Sequence, residues 1–457
     1  MTFDPARWEL RREAGRLKMD GHDLTELAQK FGTPLHVASA RVLRTRAREL
    51  RASLAGYPSE LWIAYSYKTN LVAGVLKVLH EAKIAAEVVD GYELWLAQRL
   101  GVPAGEIIFN GPAKSRQEIE AAVEAGIGLL VIDGLEEIDG VAEVADRLGR
   151  KLNVALRICP NIVPRGMNTS SVTGSRRNQF GLDLASGEAS EALRRVRRHA
   201  RLSLRGVHTH IGSGIHELES FRAAVDRVLD VQKEAWRMGF TPDLVDLGGG
   251  LGTRNSREMS TLEMLWYLGT GRLPKFPRPS ENLVPSYGAA LCESLTRGAR
   301  ARGITPPMLV IEPGRALSSD AQVLLLTVQQ TRSRPGVGRF ALVDGGAMTT
   351  AMMFLSEYHA VLLANRDAAA KGRTSVFGRL PSPMDVVYRN LPTPELVPGD
   401  VLAVMDAGAY FTSTSTNFGG PRPAVVLIDG AEVRVSRRRE TFEDLARVEL
   451  ELSEGPS

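Results

Sequence analysis

Four groups of residues in this chain are suited to organic chemistry, and each stands just after a short apolar run. Lys68 lies in the string YSYKTN, His210 in HTHIGS, Gly248, Gly249 and Gly250 in DLGGGLG, and Glu312 in IEPGR. A lysine amine condenses with an aldehyde and can exchange that bond for a substrate amine. Glycine amides, together with the hydroxyl of Ser213, can hold a phosphate. An imidazole such as His210 can lie flat against an aromatic ring, and a carboxylate such as Glu312 can keep a ring nitrogen protonated. Taken singly, each has a plainer reading. A lysine after a strand is more often a solvated end cap, a glycine triplet more often a tight turn, and a glutamate beside Pro313 and Gly314 can simply cap that turn. The pair His208 and His210 invites a metal, but neither cysteines nor a matching acidic trio accompany it, and no metal is expected.

What joins these residues is the rhythm of the chain that carries them. Strand-like runs fall at 61–67, 84–89, 107–110, 129–133, 154–158, 205–210, 244–247 and 308–312. Between them lie stretches such as LVAGVLKVLHEA and GYELWLAQRLG, with apolar residues three and four apart. Eight such βα repeats over about 250 residues match a (β/α)8 TIM barrel, whose catalytic groups gather where the strands end. Lys68, His210, the glycine triplet and Glu312 would then share one barrel mouth. Periodicity alone leaves a doubly wound open sheet as an alternative.

After about residue 318 strand-like runs dominate: AQVLLLTVQQ, FALVDGG, DVLAVMDAG, and a pair joined through Asp429 and Gly430, a hairpin signal. Before residue 36 the chain reads as a hairpin around Gly15 and a helix opened by Asp23 and closed by Gly32. The expected division is therefore a barrel over 36–317 and a mostly antiparallel β-domain from 1–35 and 318–457. The segments 165–181 and 253–285 read as loops, the second long enough to act as a lid.

Composition narrows the function. The 457 residues carry 57 basic and 53 acidic side chains, spread without a long basic run, which gives no support for nucleic-acid binding. No apolar run approaches the roughly 18 residues of a membrane span, and the first residues lack an apolar signal core, so a cytoplasmic protein is expected. Cys159 and Cys292 are the two cysteines, too few for a disulfide framework or a cysteine-based zinc cluster.

The motifs YSYKTN, FNGPAKS, HTHIGSG, DLGGGLG, EPGRAL and VDGGAM, in this order between residues 30 and 410, resemble the fold-type III pyridoxal-phosphate (PLP) enzymes. The resemblance is to the diaminopimelate, ornithine and arginine decarboxylase group, and is strongest to diaminopimelate decarboxylases. It implies an alanine-racemase-like barrel with PLP as cofactor, Lys68 as the attachment lysine and His210 stacked on the ring. It further implies that Ser213, Gly248, Gly249 and Gly250 bind phosphate, that Gly314 also belongs to the cofactor site, that Glu312 faces the pyridine nitrogen, and that Tyr410 in DAGAY closes the site. A homodimer with active sites at the subunit interface follows from the same resemblance.

Two departures bear on the substrate. The family's C-terminal motif carries a cysteine that protonates the carbanion and an acid that receives a distal ammonium. The matching stretch here is GRLPSPMD, with Pro381 and Ser382 at those places. Cys292, in CESL, falls in a helical stretch and is not expected to substitute. Upstream of Tyr358 and His359 the sequence TTAMMFLSE lacks the arginine and tyrosine that grip a distal carboxylate, although Arg315 in EPGR is present. The expectation is an apolar, methionine-rich pocket and a decarboxylase for an amino acid other than diaminopimelate. A racemase on the same barrel and a PLP-binding pseudoenzyme are the alternatives. Glu312 disfavours the racemase, whose ring nitrogen pairs with arginine, and Lys68 disfavours the pseudoenzyme.

Overall fold

Eight short parallel strands close on themselves: β1 (Leu61–Ser66), β2 (Ala85–Val88), β3 (Ile107–Phe109), β4 (Leu129–Ile132), β5 (Leu152–Cys159), β6 (Leu202–His208), β7 (Leu244–Asp246) and β8 (Met308–Ile311). Each pairs with the next, and β8 returns to β1 through Leu309 opposite Leu61. The computed structural model describes residues 3–277, 281–347, 349–350 and 356–453. These strands are apolar at nearly every position because both faces are covered, as expected of parallel barrels. Along β1 the destinations alternate: Ile63 and Tyr65 point out to the helix layer, while Ala64 joins Ala85, Ile108, Val131, Ala155, Leu244 and Val310 inside the barrel.

The helix layer is made by amphipathic segments with local start signals. Gly91–Arg99 is capped by Asp90, and Arg116–Ala125 opens on a capping box between Ser115 and Glu118. Val284–Arg302 packs beside both Ala40–Ser53 and Glu219–Arg237, completing the ring before β8.

The second unit is organised by one long strand, Gln322–Arg334. Its first half pairs with Leu35–Ser39 on one side and Val401–Val404 on the other, and its second half pairs with Gly338–Val343. Most pairings are antiparallel, the exceptions being Ala424–Asp429 beside Leu35–Ser39 and Gly372–Phe377 beside Gly338–Val343. The hairpin at Asp429 and Gly430, the turn at Gly15, and the helix Leu24–Phe31 with Asp23 as its cap all form where the sequence signals them.

Two readings need correction. The boundary at residue 36 falls inside Leu35–Ser39, which belongs to the second sheet; we place the crossing into the barrel at Ala40, where the first barrel helix begins. The segment 253–285 is not simply a loop. Arg257–Glu258 forms a short strand against Glu357–Tyr358, and Thr261–Thr270 is a helix with a capping box between Ser260 and Glu263. Its apolar residues face several directions, with Leu262, Trp266 and Leu268 exposed, so no amphipathic period marks it.

Candidate active site

The C-terminal ends of the barrel strands surround a cavity of about 500 Å³ that Lys68, His210, Ser213, Glu312, Arg315 and Tyr410 all border. Lys68 sits in a tight turn, Tyr67–Thr69, directly after β1. Its Nζ donates to Ser66 Oγ at 2.6 Å and to Glu87 Oε2 at 3.0 Å. Burial would lower the ammonium pKa, but the charges of Glu87, Tyr410 and Glu312 outweigh it and hold the pKa above the usual lysine range.

Glu87, next to last in β2, is fully buried, an acid inside an otherwise apolar run, and that placement was the signal available in the sequence. Its Oε1 accepts from Asn110 Nδ2 at 2.9 Å, and the same amide donates to Glu312 Oε1 at 2.7 Å. One asparagine after β3 thus ties the carboxylate under the lysine to the carboxylate after β8. His208 Nε2 lies 3.4 Å from Glu312 Oε2. Burial alone would raise the Glu312 pKa, yet His208, Lys68 and the Asn110 hydrogen bond keep it well below the carboxylate range. Asp246 beneath it is pushed well above its range by burial and by the Glu312 charge, so Glu312 carries the charge and Asp246 the proton. His208, Asp246 and Glu312 bring one ligand atom each within 4.8 Å of one another. Because Glu312 is already held by Asn110 and His208, the trio reads as a hydrogen-bonded support.

His210 is neutral. Burial first, then the charges of Lys68 and Arg157, lower its pKa to about 3. Nδ1 accepts from the Gly249 amide at 3.1 Å, which leaves the proton on Nε2 and turns the ring edge toward the glycine triplet. A Cβ at Gly248 would stand 2.6 Å from that Nδ1, and Gly248 has φ +61, so this approach requires glycine. Ser213 Oγ accepts from Arg315 Nε at 3.1 Å. Gly314 packs against the Thr69 side chain so closely that a Cβ there would collide with it, which locks the EPGR turn onto the lysine turn.

Tyr410 arrives from the second unit. Its amide donates to Thr69 O at 2.7 Å, its backbone is left-handed at φ +67, and Arg315 stacks on its ring at 4.7 Å. Arg315 also donates through both terminal nitrogens to Glu357, at 2.9 and 2.6 Å. That pairing went unforeseen, as did Arg157, which borders the cavity, pairs with Asp133 at 2.9 Å and stacks on Phe180.

Glu87, Asn110, Arg157, Glu258 and Arg315 bring polar groups to the cavity from strand ends and the loops that follow them, while most of its lining area is apolar. Residues 348 and 351–355, the source of the methionine expectation, lie outside the described residues. Neither cysteine borders this cavity. Cys292 Sγ faces Leu54 O in the helix layer, and Cys159 Sγ faces Gly174 O. Pro381 is exposed on the second unit, where the buried Asp385 carboxylate accepts from the amides of Ala347 and Leu380.

A barrel with a lysine after its first strand, a neutral imidazole over a glycine cradle, and an ionised carboxylate after its last strand has the donor set for an aldehyde cofactor bearing a phosphate and a basic ring nitrogen. Residues 41–319 match the family described as pyridoxal-dependent decarboxylase, pyridoxal binding domain, and the chain belongs to that family. It is a PLP-dependent amino-acid decarboxylase. It is 33% identical over 443 residues to diaminopimelate decarboxylase of Halalkalibacterium halodurans, covering 96% of both chains. It is 31% identical to that of Bacillus subtilis, covering 96% of this chain and 97% of the other. The crystal structure of the Methanocaldococcus jannaschii diaminopimelate decarboxylase superposes with a TM-score of 0.85 at 30% identity, over 96% of this chain and 97% of that one. The same enzyme has been solved with L-lysine, with a TM-score of 0.84 at 30% identity, covering 96% of both chains. No described helix is long and apolar enough to cross a membrane.

Proposed function

We propose that this decarboxylase acts on an α-amino acid whose far end is not a free carboxylate, and therefore not on diaminopimelate. The observation that carries this is the Arg315–Glu357 pair. A guanidinium grips a carboxylate through two parallel N–H donors, and here Glu357 occupies both. The names of the relatives favour diaminopimelate instead. Measuring carbon dioxide release from a panel of amino acids that includes diaminopimelate separates the two. Efficient release from diaminopimelate overturns our reading, and release from a substrate without the distal carboxylate supports it.

Lys68 holds the cofactor through Nζ, which reaches the cavity with 42% of its side chain exposed. Ser213, Gly248, Gly249, Gly250 and Gly314 hold its phosphate, and His210 presents an uncharged ring to its face. The ionised Glu312 pairs with the pyridine nitrogen and keeps it protonated, with Asn110 and His208 fixing the carboxylate. When bound, PLP would supply the electron sink that loss of the α-carboxylate requires. Tyr410 and its stack with Arg315 cover the mouth and exclude water. Pro381 has no proton to give, so Lys68 Nζ, held as an ammonium by Glu87, is the group we assign to return a proton to the α-carbon.

We infer a homodimer from the family resemblance, with the 378–385 turn, exposed at Arg379, Pro381, Pro383 and Met384, offered to a partner subunit. A monomeric mass in solution with full activity would count against it.

A further inference from the structure

The cavity wall holds one carboxylate that the reading above does not use. Glu258 lies in the short strand Arg257–Glu258, directly opposite Glu357 in the antiparallel ladder. Its side chain is 10% exposed and borders the same cavity as Lys68. Oε1 accepts from Ser171 Oγ at 2.8 Å and stands 3.9 Å from Arg315 Nη2. Oε2 is buried and has no hydrogen-bond partner among the described residues.

Arg315 faces two carboxyl groups, and its terminal nitrogens are bonded to Glu357 while Nε donates to Ser213. Glu258 is the carboxyl group left over, with one oxygen anchored at Ser171 and the other without a partner among the described residues. Leaving a buried carboxyl oxygen unpaired is costly, and on a cavity wall a ligand or an ordered water can complete it. A carboxylate placed there would meet a closed guanidinium and a second acid. A methyl would leave Oε2 unpaired. An ammonium donates to Oε2 and draws the carboxyl group into its ionised form.

We propose that Glu258 selects the far end of the substrate by accepting a positively charged group, making it a specificity-determining residue supplied by the chain's own segment after β7. This rests on the decarboxylase reading and deepens it: the substrate is an α-amino acid with a cationic terminus and no distal carboxylate. The plainer role for Glu258 is to brace the 165–181 loop through Ser171. A brace would affect every amino acid alike, which gives the test its discrimination.

The test uses PLP-loaded protein and reads binding through the change in cofactor absorbance, independently of turnover. The probes are L-lysine and L-2-aminoheptanoate, which places a methyl where lysine carries its ammonium. The expected result is tighter binding of lysine by the native protein, and a loss of about ten- to a hundredfold for lysine in Glu258→Gln, the scale of a hydrogen bond to a charged group. Aminoheptanoate affinity should change less than about twofold. Ser171→Ala removes the brace but keeps the charge, and should retain the preference for lysine. Equal losses for both probes in Glu258→Gln, or no preference for lysine in the native protein, would overturn the proposal. Decarboxylation of diaminopimelate would sink the substrate reading above while leaving the Glu258 comparison interpretable, since that comparison measures binding of a cation against its neutral analogue.

Discussion

Arg315 and Glu357 meet side by side, two N–H donors to two carboxylate oxygens, at the edge of the cavity that Lys68 enters. The pair is buried on both sides, with 11% and 4% of the side chains exposed. His359 Nε2 lies 3.1 Å from the same carboxylate, so Glu357 is held from two directions. Burial would raise its pKa, but Arg315 and His359 bring it down to about 2, and the pair stays ionised across the working range.

Opening that pair should change what the site accepts. In Glu357→Ala the guanidinium is free to grip a distal carboxylate, and affinity for dicarboxylic amino acids should rise about tenfold, as for a new charge-assisted pair. Absorbance titration of the PLP-loaded variant measures this. Unfolding should also become easier by about 3 kcal/mol, because a buried charge has lost its partner.

Attachment of the cofactor is tested by borohydride. After reduction and proteolysis, the modified peptide should contain Lys68, and Lys68→Ala should lose the adduct. Reduced cofactor on another lysine would refute the assignment of the cavity.

Glu87 keeps Lys68 protonated in the cofactor-free chain, and a protonated amine cannot condense with an aldehyde. Removing the negative charge takes away the strongest of the influences that raise the lysine pKa, so the pKa falls and the neutral fraction rises. Glu87→Gln should therefore capture PLP faster near pH 7, with the rate profile displaced to lower pH. Stopped-flow absorbance on cofactor-free protein shows the displacement or its absence.

The pKa of Glu258 is pushed up to about 7, by burial first and then by the Glu357 charge, against the opposing effects of Arg315 and Ser171. The folded chain therefore holds a proton that the unfolded chain releases near the ordinary carboxylate value. Its contribution to stability is greatest in acid and is lost as pH rises through about 7. Glu258→Gln removes that loss. Its stability relative to the native protein should be greater at pH 8 than at pH 5, by an amount on the order of 2 kcal/mol. Denaturant unfolding at the two pH values reads the difference, and equal effects at both would show that Glu258 is not perturbed.

Decarboxylation should survive thiol alkylation, since Cys159 and Cys292 both lie away from the cavity lining. Activity lost in step with modification of Cys292 would mean that this thiol supplies the proton assigned to Lys68.

The sequence by itself determined the strands of the barrel and the residues at their ends. Buried parallel strands must be continuously apolar, so a lysine, a histidine, a glycine triplet and a glutamate directly after such runs stand out, and the closed barrel brings them to one mouth. Hairpins and caps at Gly15, Asp23 and Gly430 were legible because they depend on neighbours within a few residues. The pairing of Arg315 with Glu357, the bridge by Asn110 between Glu87 and Glu312, and the spare oxygen of Glu258 were not. Each joins residues remote in sequence, through side-chain directions that the closure of the barrel and the crossing of Glu357–Tyr358 over Arg257–Glu258 impose. A charged residue in an apolar run signals that something will meet it; only the tertiary structure decides what does, because in a low-dielectric interior the partner is whichever group the packing brings within hydrogen-bond reach.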